Sequence, residues 1–259
     1  MTTVLLISLT LLILTGLFLH KNRGRFRIHF SPHLLERFLP NALFSPTADK
    51  RPIFFIGFYK TGTNYYSRVF EALGFKVMHD SHWRGGSIRV IEQYDVFNDA
   101  CLHDFKTMHK AYPKAKFVLN TRPLRPWLIS RLLWIDELYL HMSQLKRWLA
   151  NPVVRLLWGN DSYYDRDCVV AWIHERRAYH QSVLDFFRDK PGKLLVLNLE
   201  DSDKLERLGN FLELEFSAQA REQKQTNVSR PEDKDIYSNF VDSALLEVGV
   251  SNWRETLYE

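Results

Sequence analysis

From Pro52 onward, short apolar runs alternate with longer amphipathic segments. The short runs are apolar on both faces and have the length of buried strands. They are IFFIG (53–57), KVMHD (76–80), KFVLNTR (116–122) and KLLVLNLE (193–200). The longer segments predict helices at 63–73, 95–112, 127–149, 169–189 and 201–214. Buried strands separated by helices indicate an α/β protein of three layers, with a central parallel sheet flanked by helices.

Polar side chains cluster where the predicted strands end. In a parallel sheet these ends lie along one edge, which is where ligands bind. We therefore expect the functional site at this edge. Glu200 either binds substrate there or holds a neighbouring helix or cation. The polar residues are Lys60 and Thr61, His79 and Asp80, Asn120, Thr121 and Arg122, and Glu200 and Asp201, in strand order.

The first strand runs into the phosphate loop, GFYKTGTN (57–64), which opens a predicted helix. Backbone N–H groups at such a turn bind anions together with the helix N-terminus. A nucleoside triphosphate loop has its lysine after the second glycine, whereas Lys60 precedes Gly62 and Thr63 follows it. The third strand ends in Asn-Thr-Arg, where a kinase needs a carboxylate for Mg²⁺. We expect a metal-free anion site, with a small-molecule or nucleotide kinase as the alternative.

The run FFIGFYKTGTNYYSRVFEALGFKV resembles the 5′-phosphosulfate loop of the sulfotransferases, usually written K-[TS]-G-T-[TS]. YPKAKFVLNTRPLRPWLIS is similar to their next signature, with an Arg and a Ser eight residues apart, Arg122 and Ser130. KLLVLNLEDSDKLERLGNFLEL resembles the last strand and helix, and QTNVSRPED (225–233) the C-terminal N-x-S loop. Asn64 departs from the usual Thr or Ser. The resemblance covers roughly residues 52–231 and implies a P-loop NTPase-like sulfotransferase fold.

The resemblance also implies that the donor is 3′-phosphoadenosine 5′-phosphosulfate and that no metal is required. Lys60 would neutralise the bridging oxygen as the S–O bond breaks, and arginine suits the bidentate binding of the 3′-phosphate. The implied contacts are Lys60, Thr61, Gly62, Thr63 and Asn64 for the 5′-phosphosulfate, Arg122 and Ser130 for the 3′-phosphate, and Asn227, Ser229 and Arg230 in a loop that closes over the nucleotide.

Transfer to a hydroxyl group also needs a base that takes its proton. MHDSHW (78–83) follows the second strand, which we predict to lie beside the phosphate loop. His79 or His82 is the expected base, with Asp80 orienting or replacing it. Asp99 is a further candidate carboxylate for the acceptor site. The expected acceptor is a hydroxyl group of a glycan, a lipid or a small molecule.

The N-terminus carries a separate signal, since VLLISLTLLILTGLFL (4–19) contains no charged residue and is just long enough to span a bilayer. We predict a transmembrane anchor at 1–20, a basic juxtamembrane linker at 21–50 and a sulfotransferase domain at 51–259. A cleaved signal peptide and an interfacial or buried helix are the alternatives. Basic residues follow the span, so the positive-inside rule favours a single-pass protein with a cytosolic domain. A domain in the Golgi lumen is the other topology.

The formal net charge of +5 does not indicate nucleic-acid binding, because four of those charges lie in the linker, on Lys21, Arg23, Arg25 and Arg27. The rest of the chain has no basic stripe. Hydrophobic residues make up 46% of the sequence, which is typical of a globular protein. Two cysteines, Cys101 and Cys168, are too few for a disulfide framework or a zinc site, and their pairing stays open. A non-catalytic membrane-anchored adaptor is a further alternative.

Overall fold

The computed structural model describes residues 45–47, 49–79, 88–99, 105–140, 166–224 and 237–250. All of them belong to one compact unit, Pro40–Glu259. The strands are β1 (Ile53–Phe55), β2 (Val77–His79), β3 (Val96–Asn98), β4 (Lys116–Thr121) and β5 (Leu194–Asn198). The helices within these ranges are α1 (Thr63–Ala72), α2 (Ile88–Gln93), α3 (Phe105–Ala111), α4 (Leu124–Leu140), α5 (Arg166–Phe187), α6 (Lys204–Leu212), α7 (Ala218–Arg221) and α8 (Ser238–Glu247).

The strands form one parallel sheet in the order β2-β3-β1-β4-β5. The pairing continues past the strand ends, since Ile56 N–H donates to the carbonyl oxygen of Val118 at 2.9 Å. Because every strand runs in the same direction, the segments that follow β1, β3 and β4 emerge at one edge. The Cα registers include Phe54↔Phe97, Phe54↔Phe117, His79↔Asn98 and Thr121↔Asn198.

Helices cover both faces of the sheet. Phe54 of β1 is fully buried in a cluster with α3 and the C-terminal half of α5. Its neighbour Phe55 points to the opposite face, as alternation in a strand requires, and is buried with α1 and α6. Sheet residues that are apolar on both faces thus build two cores. The predicted α/β architecture of three layers is confirmed.

A third core lies beyond the carboxyl edge of the sheet. Phe58, which follows β1, packs there with Trp127 of α4, Ile173 of α5 and Val241 of α8. Its ring meets that of Trp127 edge-on, with the centroids 5.6 Å apart. Charge pairs join α8 to neighbouring helices. Arg125 of α4 binds Asp242 in a bidentate contact at 2.6 and 3.0 Å, and Arg166 of α5 pairs with Glu247.

Three sequence predictions of secondary structure need correction. The segment 95–112, predicted as one helix, contains β3 followed by α3, with 100–104 outside the described residues. We predicted that β2 lies beside β1, the strand before the phosphate loop. This is wrong, because β3 lies between β1 and β2. Three residues are too few to show the alternation of apolar and polar positions that marks a strand. β3 is instead defined by its hydrogen-bonded neighbours, β1 and β2. The helices α2, α7 and α8 were not predicted.

The structure contradicts the predicted single-pass membrane location. Within the ranges given above, no helix combines the length and the apolar character needed to cross a bilayer. The longest, α5, contains charged residues such as Asp167 and Arg176, which are costly at the bilayer centre. The predicted anchor at 1–20, and all of the linker at 21–50 except 45–47 and 49–50, lie outside the described residues.

Candidate active site

The phosphate loop turns sharply from β1 into α1. Lys60 has φ 68° and Gly62 has φ 91°, so both lie in the left-handed region, which is costly for a residue with a side chain. Gly62 is the N-cap of α1 and gives the helix no side-chain cap. A Cβ at this position would lie 2.4 Å from Cδ1 of Leu199, so glycine also allows close packing against the segment after β5. The first N–H groups of α1 are therefore uncapped at the carboxyl edge of the sheet.

The side chain of Asn120, at the end of β4, braces this loop. Its Oδ1 accepts a hydrogen bond of 2.9 Å from Gly57 N–H, and its Nδ2 donates to Thr61 Oγ1 at 2.6 Å. The Thr61 hydroxyl in turn donates to the carbonyl oxygen of Phe58. A Cβ on Gly57 would lie 1.9 Å from the carbonyl oxygen of Asn120, so only glycine fits there. The loop is thus fixed from the neighbouring strand.

Arg122 leaves β4 at the same edge, two residues after Asn120. Its side chain is 19% exposed, and its Nε lies 3.7 Å from Oε1 of Glu200, which is beyond hydrogen-bond range. This buried Nε has no hydrogen-bond partner among the described residues. Burial lowers the pKa of the Arg122 guanidinium, and the charge of Glu200 opposes that shift. Arg122 remains a cation with an unused donor.

Helix α5 holds both halves of this edge. Tyr179 donates from its hydroxyl to the carbonyl oxygen of Ile56 at 2.7 Å, just before the phosphate loop. One turn earlier, Arg176 donates from Nη2 to the carbonyl oxygen of Arg122 at 2.6 Å. Arg176 is 3% exposed, and its guanidinium carbon lies 4.9 Å from the centre of the Trp127 ring. A single helix thereby fixes the main chain after β1 and after β4.

Aromatic rings of α4 line the side of the loop next to Arg122. Trp127 Nε1 donates to the carbonyl oxygen of Tyr59 at 3.0 Å. The Lys60 ammonium lies 5.2 Å from the centre of the Trp134 ring, within the range of a cation–π contact. The buried guanidinium of Arg131 stacks at 3.8 Å over Trp172. These contacts give the loop lysine a defined position between its own turn and α4.

Comparison with known proteins decides the family. The family model described as "Sulfotransferase domain" matches residues 84–227, which is more than half of the chain. The chain belongs to the sulfotransferase domain family. The match includes Arg122 and Ser130 and begins after the phosphate loop.

Two further comparisons were made for this sulfotransferase domain. The crystal structure of a sulfotransferase from Alicyclobacillus acidocaldarius is similar to it, with 14% sequence identity and a TM-score of 0.46. That similarity covers 79% of this chain and 99% of the other. A search of curated proteins gave no match.

The predicted base residues are only partly described. His79 ends β2, two strands away from β1, and its Nε2 is buried without a hydrogen-bond partner in the described part of the chain. Asp80 and His82 lie outside the described residues. The strand that does neighbour β1 on this side is β3. Asn98 ends it, and Asp99 follows directly.

The remaining predicted donor contacts lie on α4, on α1 or outside the described residues. Ser130 is buried in the second turn of α4, which begins two residues after Arg122. Thr63 is buried in the first turn of α1, and Asn64 beside it is exposed. Asn227, Ser229 and Arg230 lie outside the described residues. Within the described ranges, no group of three or more His, Cys, Asp or Glu side chains could hold a metal ion.

Sequence reasoning missed the residues that support the sulfotransferase loop. Asn120 was noted only as a polar strand end, and its bracing role requires the partner strands in register. Arg176 and Tyr179 sit three residues apart on α5, a spacing that places both on one helix face. An Arg and a Tyr at this spacing within the predicted helix 169–189 are a signal that could have been found. Glu200, predicted either to bind substrate or to hold a neighbouring helix or cation, pairs with Arg122.

Proposed function

We propose that this sulfotransferase moves a sulfuryl group from 3′-phosphoadenosine 5′-phosphosulfate to a hydroxyl group of a glycan, a lipid or a small molecule. The observation that carries this proposal is the pair of anion-binding features on adjacent strands. The phosphate loop with Lys60 follows β1, and Arg122 follows β4, which is paired with β1. Adjacent strands lie about 4.8 Å apart, so one nucleotide can reach both features.

The residues fit the two charged ends of this donor. The uncapped first turn of α1 provides backbone N–H donors for a 5′-phosphosulfate, supported by the helix dipole. The buried Nε of Arg122, without a hydrogen-bond partner in the described part of the chain, provides a donor for a 3′-phosphate. Ser130, eight residues after Arg122, is the proposed second ligand of that phosphate. Two separated cationic subsites match a nucleotide with phosphate groups on both 3′ and 5′ positions.

Lys60 is proposed to stabilise charge during transfer. As the bond between sulfur and the bridging oxygen breaks, negative charge grows on that oxygen, and a positioned cation lowers the barrier. The left-handed backbone at Lys60 and the Trp134 ring restrict where the ammonium lies. Thr61 acts differently from the other loop residues, because its hydroxyl is already bonded to Asn120 and Phe58. Its proposed contribution is therefore its main-chain N–H group.

The residue at the end of β4 argues against the kinase alternative. A nucleotide kinase requires a carboxylate near that position to hold Mg²⁺. Asn120 occupies it, and both ends of its amide are used to brace the loop. A metal ligand there would have to give up the contacts that shape the loop.

The proposal is tested by calorimetric titration of the full chain with adenosine 3′,5′-bisphosphate in the presence of a chelator. We expect binding without Mg²⁺ and a loss of about tenfold or more in affinity for Arg122→Ala, since hydrogen bonds to charged groups contribute about 1.5–3 kcal/mol. Lys60→Ala should abolish sulfuryl transfer in an acceptor screen with radiolabelled donor. Lys76→Ala, an exposed lysine before β2, is the control and should retain both.

Two outcomes would contradict the proposal in different ways. Tight binding of ATP that depends on Mg²⁺ and is insensitive to Arg122→Ala would favour a kinase. Absence of binding to any adenine nucleotide would favour an adaptor without catalytic function. Full transfer activity in Lys60→Ala would remove the assigned role of the lysine while leaving the donor site intact.

A further inference from the structure

The end of β3 lies next to β1 and is not used by the proposed donor contacts. β3 pairs with β1 through Ile53↔Val96 and Phe54↔Phe97. Continued by two residues, that register brings Asp99 level with Ile56, directly before the phosphate loop. Asp99 is therefore one strand spacing, about 4.8 Å, from the chain that forms the loop. His79 on β2 is two spacings away.

Side-chain contacts tie the end of β3 to the helix that follows the loop. Asn98 is fully buried, and its Nδ2 donates to Ser67 Oγ of α1 at 3.0 Å. Ser67 lies one helical turn after Thr63, the first residue of α1. Asp99 follows Asn98 directly, so its main chain continues from a residue that is anchored to α1. One of its oxygens, Oδ1, is buried.

The backbone at Asp99 has an unusual conformation. With φ 69° it is one of three residues other than glycine in the left-handed region among the described residues, and Lys60 is another. Such conformations cost about 1–3 kcal/mol and persist where the surroundings require a particular placement. In this chain two of them flank the same edge, at the ends of the neighbouring strands β1 and β3.

We propose that Asp99 is the general base of the transfer. The assignment rests on the proposed function. In the proposed donor site the 3′-phosphate lies on Arg122 beside β4, so the sulfuryl end of the donor lies on the opposite, β3, side of the loop. In-line attack brings the acceptor oxygen from that side. Asp99 is the titratable side chain that β3 delivers there.

The proposed step is balanced as follows. The acceptor oxygen forms a new bond to sulfur while its proton passes to the Asp99 carboxylate. The bond between sulfur and the bridging oxygen breaks, and its electron pair stays on that oxygen, beside Lys60. The products are the sulfated acceptor, adenosine 3′,5′-bisphosphate and a protonated Asp99, which returns its proton to water.

Asp99→Asn tests this assignment with little risk to folding, because Asn tolerates the left-handed region as well as Asp does. The assay follows hydrolysis of the donor, with water as the acceptor, and calorimetry follows binding of adenosine 3′,5′-bisphosphate. We expect hydrolysis to fall by about 10²-fold or more while the dissociation constant changes less than about twofold. Asp95→Asn, at the other end of β3, is the matched control and should retain wild-type hydrolysis.

A second acceptor separates proton removal from other roles. 4-Nitrophenolate brings no proton to the reaction, so the Asp99→Asn defect should shrink with it. An equal defect with water and with 4-nitrophenolate would overturn the assignment, as would wild-type hydrolysis in Asp99→Asn. Loss of hydrolysis in His79→Gln but not in Asp99→Asn would assign the base to His79 instead. Failure of the wild-type protein to bind adenosine 3′,5′-bisphosphate would reject the proposed function itself.

Discussion

Arg176 donates a hydrogen bond of 2.6 Å from Nη2 to the main-chain carbonyl oxygen of Arg122. A charged donor on a carbonyl group makes a strong bond when both are buried. The bond fixes the backbone from which the Arg122 side chain extends, without using that side chain. Arg176 is thus placed to orient the proposed 3′-phosphate ligand from the helix behind it.

Arg176→Met removes this bond and keeps most of the side-chain volume. We expect weaker binding of adenosine 3′,5′-bisphosphate by about tenfold or more, because a hydrogen bond to a charged group contributes about 1.5–3 kcal/mol. Affinity for adenosine 5′-phosphosulfate, which lacks the 3′-phosphate, should change much less. Titration calorimetry measures both. Arg188→Met, just after α5 with its side chain 68% exposed, is the control. Equal losses for the two ligands would show a general disturbance instead.

Asn120→Asp tests the loop brace. The substituted side chain can still accept from Gly57 N–H but cannot donate to Thr61, and it adds negative charge beside an anion-binding loop. Both effects oppose nucleotide binding, and we expect affinity for adenosine 3′,5′-bisphosphate to fall by about tenfold or more. Asn210→Asp adds the same charge at an exposed position of α6 and should have no effect. Unchanged affinity in Asn120→Asp would show that the brace is dispensable.

Lys60→Gly and Lys60→Ala should separate stability from activity. Both remove the ammonium group, and transfer should fall by about 10²-fold or more in each. Only glycine relieves the left-handed backbone, which costs about 1 kcal/mol or more for other residues. We therefore expect the free energy of unfolding in urea to be about 1 kcal/mol higher for Lys60→Gly than for Lys60→Ala. Equal stabilities would mean that the loop backbone relaxes when the lysine is lost.

His180 should make stability depend on pH. It is 2% exposed, and burial together with the charge of Arg176 lowers its pKa well below the ordinary value. Below about pH 6.5 the unfolded chain binds a proton that folded His180 does not, so stability falls as pH falls, by up to about 1.4 kcal/mol per pH unit. His109 adds to this, because burial and the charges of Lys190 and Lys193 lower its pKa.

Urea unfolding between about pH 7.5 and pH 5.5 measures this dependence. His180→Phe, which keeps a ring against Phe58, should remove a large part of it. His174→Gln, at an exposed position of the same helix, should leave it unchanged. An unaltered pH dependence in His180→Phe would assign the effect to other groups.

The sequence predicts most of the sheet, because β1, β4 and β5 lie within longer runs rich in apolar residues, at 53–57, 116–122 and 193–200. β3 could not be found in this way. Its three residues precede a helix, and its strand conformation depends on hydrogen bonds to β1 and β2. That omission also placed β2 directly beside the phosphate-loop strand in the prediction, whereas β3 lies between them.

In the candidate site, the sequence indicates the charged residues more readily than the residues that hold the loop in place. Lys60 is predicted from the glycine spacing of its loop. Arg122 is predicted from its place at the end of a strand and its spacing from Ser130. Asn120 and Arg176 act through contacts to main-chain atoms 54 to 63 residues away in sequence. No local pattern encodes such contacts, because they exist only when the strands and helices have been assembled.

The position of α5 has a consequence for any shortened version of the protein. Residues up to Ser130 already contain Lys60, Arg122 and the other described residues proposed to touch the donor. The helix that holds their backbone begins at Arg166, and the last strand of the sheet begins at Leu194. A chain that stops between Ser130 and α5 would therefore carry these residues without the scaffold that shapes the loop. A fragment that keeps the loop in place has to include Arg176 of α5 and β5.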